Sequence, residues 1–157
     1  LMSAGSQVLP KVLPKVPPKV LPKPEMPLPK GTKLKNGMTG KKLTTYAIGG
    51  PVPLFIEIEE EEALASLVKL MAVRGDPFKV IGAGSNLLIP DEGIDHWVIK
   101  LGRSFRFWSQ VGSQVGKEEF VVGGAMPLIT LSHELSSLGF SGLEFAGGIP
   151  ASVQRRP

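Results

Sequence analysis

Between residues 8 and 30 the chain reads VLPKVLPKVPPKVLPKPEMPLPK, with proline at every few positions and lysine usually after it. Proline has no amide hydrogen and fixes φ, so this stretch builds neither helix nor sheet interior. It is expected to be an extended, partly polyproline II segment. Whatever folds must therefore be made from the residues that follow, and the charge divides at the same place. Residues 1–42 hold nine Lys and one acid, a net +8, whereas the remainder carries nine basic and thirteen acidic residues, a net −4. The formal charge of +4 and the pI near 9.4 thus belong to a tail on an acidic body. That tail is read as a disordered spacer, in preference to a Pro-rich ligand for an aromatic groove or a basic presequence for plastid or mitochondrial import. Basic charge without interleaved aromatics gives no nucleic-acid reader.

The 157 residues include no Cys, which excludes disulfide scaffolds, zinc ribbons, thiol nucleophiles and cysteine-ligated clusters. Two isolated histidines, His96 and His133, do not make a metal site. No apolar run reaches the roughly 18 to 20 residues of a membrane span, so a soluble protein is expected, without membrane or nucleic acid as partner.

From Leu43 onward period signals appear. Leu54, Ile56 and Ile58 alternate with Phe55 and Glu57 as a strand. A helix starts in the acid run Glu59–Glu62 and places Ala63, Leu64, Leu67, Val68 and Met71 on one face before Gly75 stops it. Phe78–Ile81 then returns to the same sheet in a βαβ-like unit. Further strands are expected at Trp97–Leu101, Phe105–Trp108 and Phe120–Val122. A second helix opens at Pro127, shows Leu128, Leu131, Leu135 and Leu138, and stops at Gly139. Strands outnumber helices in this mixed body. Trp97, Phe105, Phe107 and Trp108 are read as packing strand faces, and His133 as exposed.

The segment Gly82-Ala83-Gly84-Ser85-Asn86 ends an apolar strand. Two glycines and two small polar residues let the backbone turn tightly and aim N–H groups outward, as a phosphate or pyrophosphate requires. A P-loop is excluded because no Lys follows; a Rossmann fingerprint is excluded because its third glycine would fall on Leu87, and Pro90 opposes the helix. Lys100, Arg103 and Arg106 could attract a phosphate but are read as solvated strand-end charges. Three more glycine turns accompany the loop: Gly49-Gly50-Pro51, Gly123-Gly124-Ala125 and Gly139–Pro150.

Four motifs in this order resemble the amino-terminal half of the UDP-N-acetylenolpyruvoylglucosamine reductase family, also called UDP-N-acetylmuramate dehydrogenases: T-x-x-x-x-GGP at Thr44–Pro51, G-x-GSNLL at Gly82–Leu88, GGA at Gly123–Ala125, and GLEF-x-x-GIP at Gly142–Pro150. The likeness covers roughly Leu43 to Val153. It implies an α+β, two-lobed FAD-binding fold of the vanillyl-alcohol-oxidase (PCMH) type with the second lobe incomplete. The expected divisions are a tail at 1–42, a first FAD-binding lobe at 43–103, the start of a second at 104–153, and a non-matching end at 154–157.

By the same resemblance Gly82, Ala83, Gly84, Ser85 and Asn86 would hold the FAD pyrophosphate. Ile48 and Gly49 would line the cofactor, and Gly124, Gly142, Glu144, Gly147, Gly148, Ile149 and Pro150 the flavin side of the second lobe. FAD would be the cofactor, NADPH a co-substrate, a UDP-sugar the substrate, the cytoplasm the location and peptidoglycan precursor synthesis the setting. The family's proton-donating serine, with its assisting arginine and glutamate, follows the last shared motif. No catalytic residue is therefore assigned, Ser85, Ser141 and Ser152 included. The expectation is a fragment of such a reductase, inactive alone. The alternatives are a non-catalytic flavin-binding module or another FAD-linked oxidoreductase of the same fold.

Overall fold

The computed structural model describes residues 27–114 and 117–154. Most of the Pro/Lys repeat, and with it the spacer and presequence readings, lies outside the described residues, as do Arg155–Pro157. In chain order the elements are β1 (Thr32–Lys35), β2 (Met38–Thr39), the single turn α1 (Gly40–Leu43), β3 (Pro51–Val52), β4 (Phe55–Ile58), α2 (Glu61–Arg74), β5 (Phe78–Ile81) and β6 (Trp97–Leu101). A 3-10 turn at Arg103–Phe105 leads to β7 (Trp108–Gln114), β8 (Lys117–Val122), α3 (Leu128–Ser137) and a second 3-10 turn at Glu144–Gly148.

The main sheet has the order β1-β4-β6-β5, with β1 antiparallel to β4 and the other two pairings parallel. Alternation decides which layer each side chain joins. Ile56, Ile58, Trp97 and Ile99 face α2, where Ala63, Leu67 and Met71 are buried against them. Phe55, Val98 and Ile81 face the opposite way and pack with Leu43, Val52 and Ile89. A sheet covered on both faces explains why β4 and β6 read as nearly unbroken apolar runs.

The helix ends as its sequence indicates. Gly75 takes φ +69, its N–H donates to Ala72 O, and the N–H of Asp76 donates to Met71 O at 3.0 Å. Those two bonds form a Schellman motif, which only a residue tolerant of positive φ closes without strain.

Several expectations are corrected. Residues 32–39, assigned to the tail, form β1 and β2; Leu34 packs on the α2 core, Lys33 and Lys35 point outward, and Lys35 pairs with Glu57 on β4. A lysine-rich composition thus conceals a strand with an ordinary alternating pattern. The βαβ unit is real, but β6 lies between its two strands. Of the segment Phe105–Trp108 only Trp108 is strand, as the first residue of β7: Ser104 donates its amide (3.2 Å) to the Glu59 carboxylate and its hydroxyl to the Glu59 carbonyl, and this clasp curls the chain into a 3-10 turn at Arg103–Phe105. Phe107 is accordingly left half exposed. Pro127 is the cap of α3, one position before its first residue, and Leu138 lies just past its end and is exposed.

The second lobe is small. Met126, Leu131 and Leu135 form its buried centre, covered by Trp108, Phe120, Val122, Phe140, Leu143 and Val153. Trp108 and Phe140 meet Phe120 edge to face, and Trp108 Nε1 donates to Glu134 on α3 at 2.5 Å. These contacts fix the hairpin β7–β8 to the helix.

Candidate functional site

The parallel strands β5 and β6 end side by side, with Ile81 opposite Lys100. Opposite their carboxyl ends run two segments of the second lobe that hold each other: Leu128 N–H donates to Ala151 O, Val153 N–H to Met126 O and Gln154 N–H to Gly124 O, at 2.8–3.0 Å. Between strand ends and segments is a cleft of about 220 Å³ lined by Ile81, Gly82, Ala83, Lys100, Leu101, Arg106, Ala125, Pro127, Ala151, Ser152 and Gln154. Open α/β sheets take ligands in this position, outside the carboxyl ends of parallel strands. Pockets for whole drug-sized molecules measure roughly 300–1,000 Å³, so this cleft suits the diphosphate part of a larger ligand.

The walls come close at Gly82, where a Cβ would lie 2.4 Å from Ser152 Oγ and a side chain would need the serine hydroxyl to rotate away. Gly84 has φ +76, and its carbonyl accepts the N–H of Thr45 at 3.1 Å, tying the loop to the upstream turn. The amides from Gly82 to Asn86 meet no acceptor among the described residues. With Lys100 and Arg106 on the rim, these donors make an anion site. Arg106 is held in turn by its amide on Arg103 O (2.9 Å), directly after the Ser104–Glu59 clasp. The Ser104 amide is the main reason the Glu59 carboxyl titrates below its ordinary value.

The expected site residues are distributed unevenly. Gly82 and Ala83 line the cleft, and Gly124 backs it through its carbonyl. Ser85 and Asn86 follow on the outgoing turn. Ile48 is more than half exposed, and Gly49 (φ +107) abuts the Ile89 carbonyl, where a Cβ would come within 2.6 Å. Gly142, Glu144, Gly147, Gly148, Ile149 and Pro150 are outside the cleft wall. They form a shoulder in which Glu144 accepts the Gly142 N–H at 2.8 Å, Gly147 and Gly148 face open space, and Phe145 is exposed. Ser152 and Gln154 are cleft residues that sequence reasoning missed, because their role depends on pairing with Gly124–Leu128. Lys100 and Arg106, read from sequence as solvated charges that could attract a phosphate, both line the cleft. Among the described residues, no cluster of three or more His, Asp or Glu could hold a metal, and no helix is long and apolar enough to cross a membrane.

A family profile described as an FAD binding domain matches residues 52–154, and the chain belongs to that FAD-binding family. Its fold is the FAD-binding fold of the PCMH type. Over 110 residues it is 42% identical to the UDP-N-acetylenolpyruvoylglucosamine reductases of Anoxybacillus flavithermus and of Bacillus velezensis, alignments that take in 70% of this chain and 35% of each relative. The crystal structure of UDP-N-acetylenolpyruvylglucosamine reductase from Thermus caldophilus superposes with a TM-score of 0.60 at 31% identity, over 78% of this chain and 40% of that one. The chain therefore spans about a third of the length of the curated relatives it matches. It corresponds to the FAD-binding portion of those reductases. The residues present suit FAD: loop amides with no acceptor among the described residues and two cations on the rim.

Proposed function

We propose that this chain holds FAD with its diphosphate in the Gly82/Ser152 cleft, as the flavin-binding portion of an NADPH-dependent reductase that converts UDP-N-acetylglucosamine enolpyruvate to UDP-N-acetylmuramate in peptidoglycan precursor synthesis. The observation that carries the reading is that Gly82 and Ala83, whose amides meet no acceptor among the described residues, share a cleft with Lys100 and Arg106 at the carboxyl ends of two parallel strands. When bound, the flavin supplies hydride transfer between NADPH and the enolpyruvyl double bond. The chain's own residues have other work. Gly82–Asn86 offer backbone donors to the diphosphate, Lys100 and Arg106 balance its charge, and Ser152 offers a hydroxyl from the opposite wall. Ile48 and Gly49, on the upstream turn, would line the cofactor outside the cleft itself. Gly142, Glu144, Gly147, Gly148, Ile149 and Pro150 form the shoulder along which the flavin end would extend. The cytoplasm is the proposed location.

FAD titration of the 157-residue chain, read by quenching of flavin fluorescence, tests the proposal. One FAD per chain is expected, with affinity falling as salt screens the two cations. The double substitution Lys100→Gln/Arg106→Gln should weaken binding at least about tenfold, in line with the strength of charge-assisted hydrogen bonds. The chain alone is expected not to turn over NADPH with the UDP-sugar, and failure to bind FAD would overturn the assignment.

A further inference from the structure

The flavin cleft makes no use of the Pro/Lys repeat, and a second concavity lies beside it. This groove, of about 430 Å³, is lined by Arg106, Phe107, Trp108, Met126, Pro127 and Glu134 among others, between the chain entering β7 and the start of α3. Phe107 is 46% exposed, so an aromatic face stands open to solvent. Trp108 is half-buried, and its Nε1 donates to Glu134 Oε2 at 2.5 Å, which fixes that carboxylate at the groove while its other oxygen can still accept. An aromatic groove beside an acid fits a proline-rich segment that carries lysine. Proline rings pack on the aromatic faces with little conformational entropy left to lose, and the ammonium pairs with the carboxylate.

This chain contains such a segment. VPPKVLPK spans Val16–Lys23, Lys11 and Lys15 precede it, and the chain beyond residue 42 has a net charge of −4. The repeat also joins the folded body close to the groove. Leu28 and Phe105 pack against the same core cluster. Glu59 holds both segments, its N–H donating to Gly31 O at 3.3 Å and its carboxylate accepting the Ser104 amide at 3.2 Å. Arg106, on the groove, is two residues past Ser104. Pro22 and Pro18 precede Leu28 by six and ten residues. In an extended proline-rich chain, at about 3.1 Å per residue, that gives a reach of about 19 to 31 Å.

We propose that Val16–Lys23 docks in this groove of its own chain, with prolines on Phe107 and Trp108 and a lysine on Glu134. The tail then straps the second lobe to the first, where Leu28 anchors it. Tethering makes the contact intramolecular at an effective concentration of about a millimolar, so a site with a Kd of about 0.1 mM is about nine-tenths filled. The docking is independent of the FAD reading, and its test contains no flavin.

Two measurements on the full 157-residue chain decide it. Trp97 is 5% exposed, so acrylamide quenching of tryptophan emission reads Trp108. Replacing Pro14, Pro17, Pro18 and Pro22 together by Ser should raise the quenching constant about twofold as a groove about nine-tenths filled is emptied. Unchanged quenching overturns the proposal. Carbodiimide cross-linking of an equal mixture of unlabelled and nitrogen-15-labelled chains should join Glu134 to Lys19 or Lys23 within one chain. Glu134→Gln, whose amide oxygen still accepts the Trp108 N–H, should lose that product. Links from these lysines to Glu59–Glu62 and none to Glu134 overturn the proposal, since charge attraction alone would then place the tail. Links between labelled and unlabelled chains overturn it as well, because the groove would then be filled by the tail of a second copy.

Discussion

Gly84 shows how one residue can be conspicuous in a sequence for a reason the sequence does not display. Its place in G-x-GSN suggested a backbone aimed at a ligand, and its neighbours Gly82 and Ala83 do line the cleft. What demands glycine at Gly84 is something else: with φ +76, a Cβ there would sit 2.0 Å from the Leu43 carbonyl. The requirement comes from a segment forty residues upstream, so no local pattern could reveal it. Gly84→Ala combines a positive-φ penalty with a backbone clash and should lower unfolding free energy by about 2 kcal/mol or more. Gly147→Ala, in open space at ordinary φ, should change it by no more than about 0.5 kcal/mol. Urea unfolding of the two variants side by side checks the contrast. The cleft residues Ser152 and Gln154 were hidden for the same reason, since they acquire a role only through pairing with Gly124–Leu128.

Elements with a period of their own were legible from sequence, and elements made by their neighbours were not. The helix α2 has its apolar stripe, its acidic first turn and its Gly75 stop where the spacing of residues places them. Leu67 is fully buried under the sheet, and truncation to Ala should cost about 2–5 kcal/mol; Gly75→Ala, straining a left-handed cap, should cost about 1 kcal/mol. Chemical unfolding midpoints of both variants measure this ordering. By contrast, β1 is held by pairing with β4 and by one apolar residue, Leu34, among lysines, which composition alone reads as tail. The stretch after Leu101 looked like a strand because it is aromatic, and a long-range hydrogen bond from Ser104 to Glu59 makes it a turn.

In the whole molecule, that clasp is the polar tie between the sheet and the chain entering the second lobe. The folded state depresses the Glu59 pKa, so its contribution to stability is complete above the unfolded carboxylate value and is lost as pH falls through the folded one. Glu59→Gln should therefore be less stable than wild type at neutral pH, with the difference shrinking as the pH is lowered through the carboxylate range. A pH series of urea melts on both proteins decides it. Strand order adds a further consequence, this one in time. The central strand β6 is the last of its sheet to be synthesised, and both of its neighbours precede it. At ribosomal speeds of about 5–20 residues per second, the nascent chain spends about 1–4 seconds between completing β5 and completing β6. During that interval β4 and β5 have finished strands but no partner between them, and β4 can pair only with β1. A chain released after residue 95 would carry the whole of α2 and three of the four strands, yet β5 would have no strand to pair with.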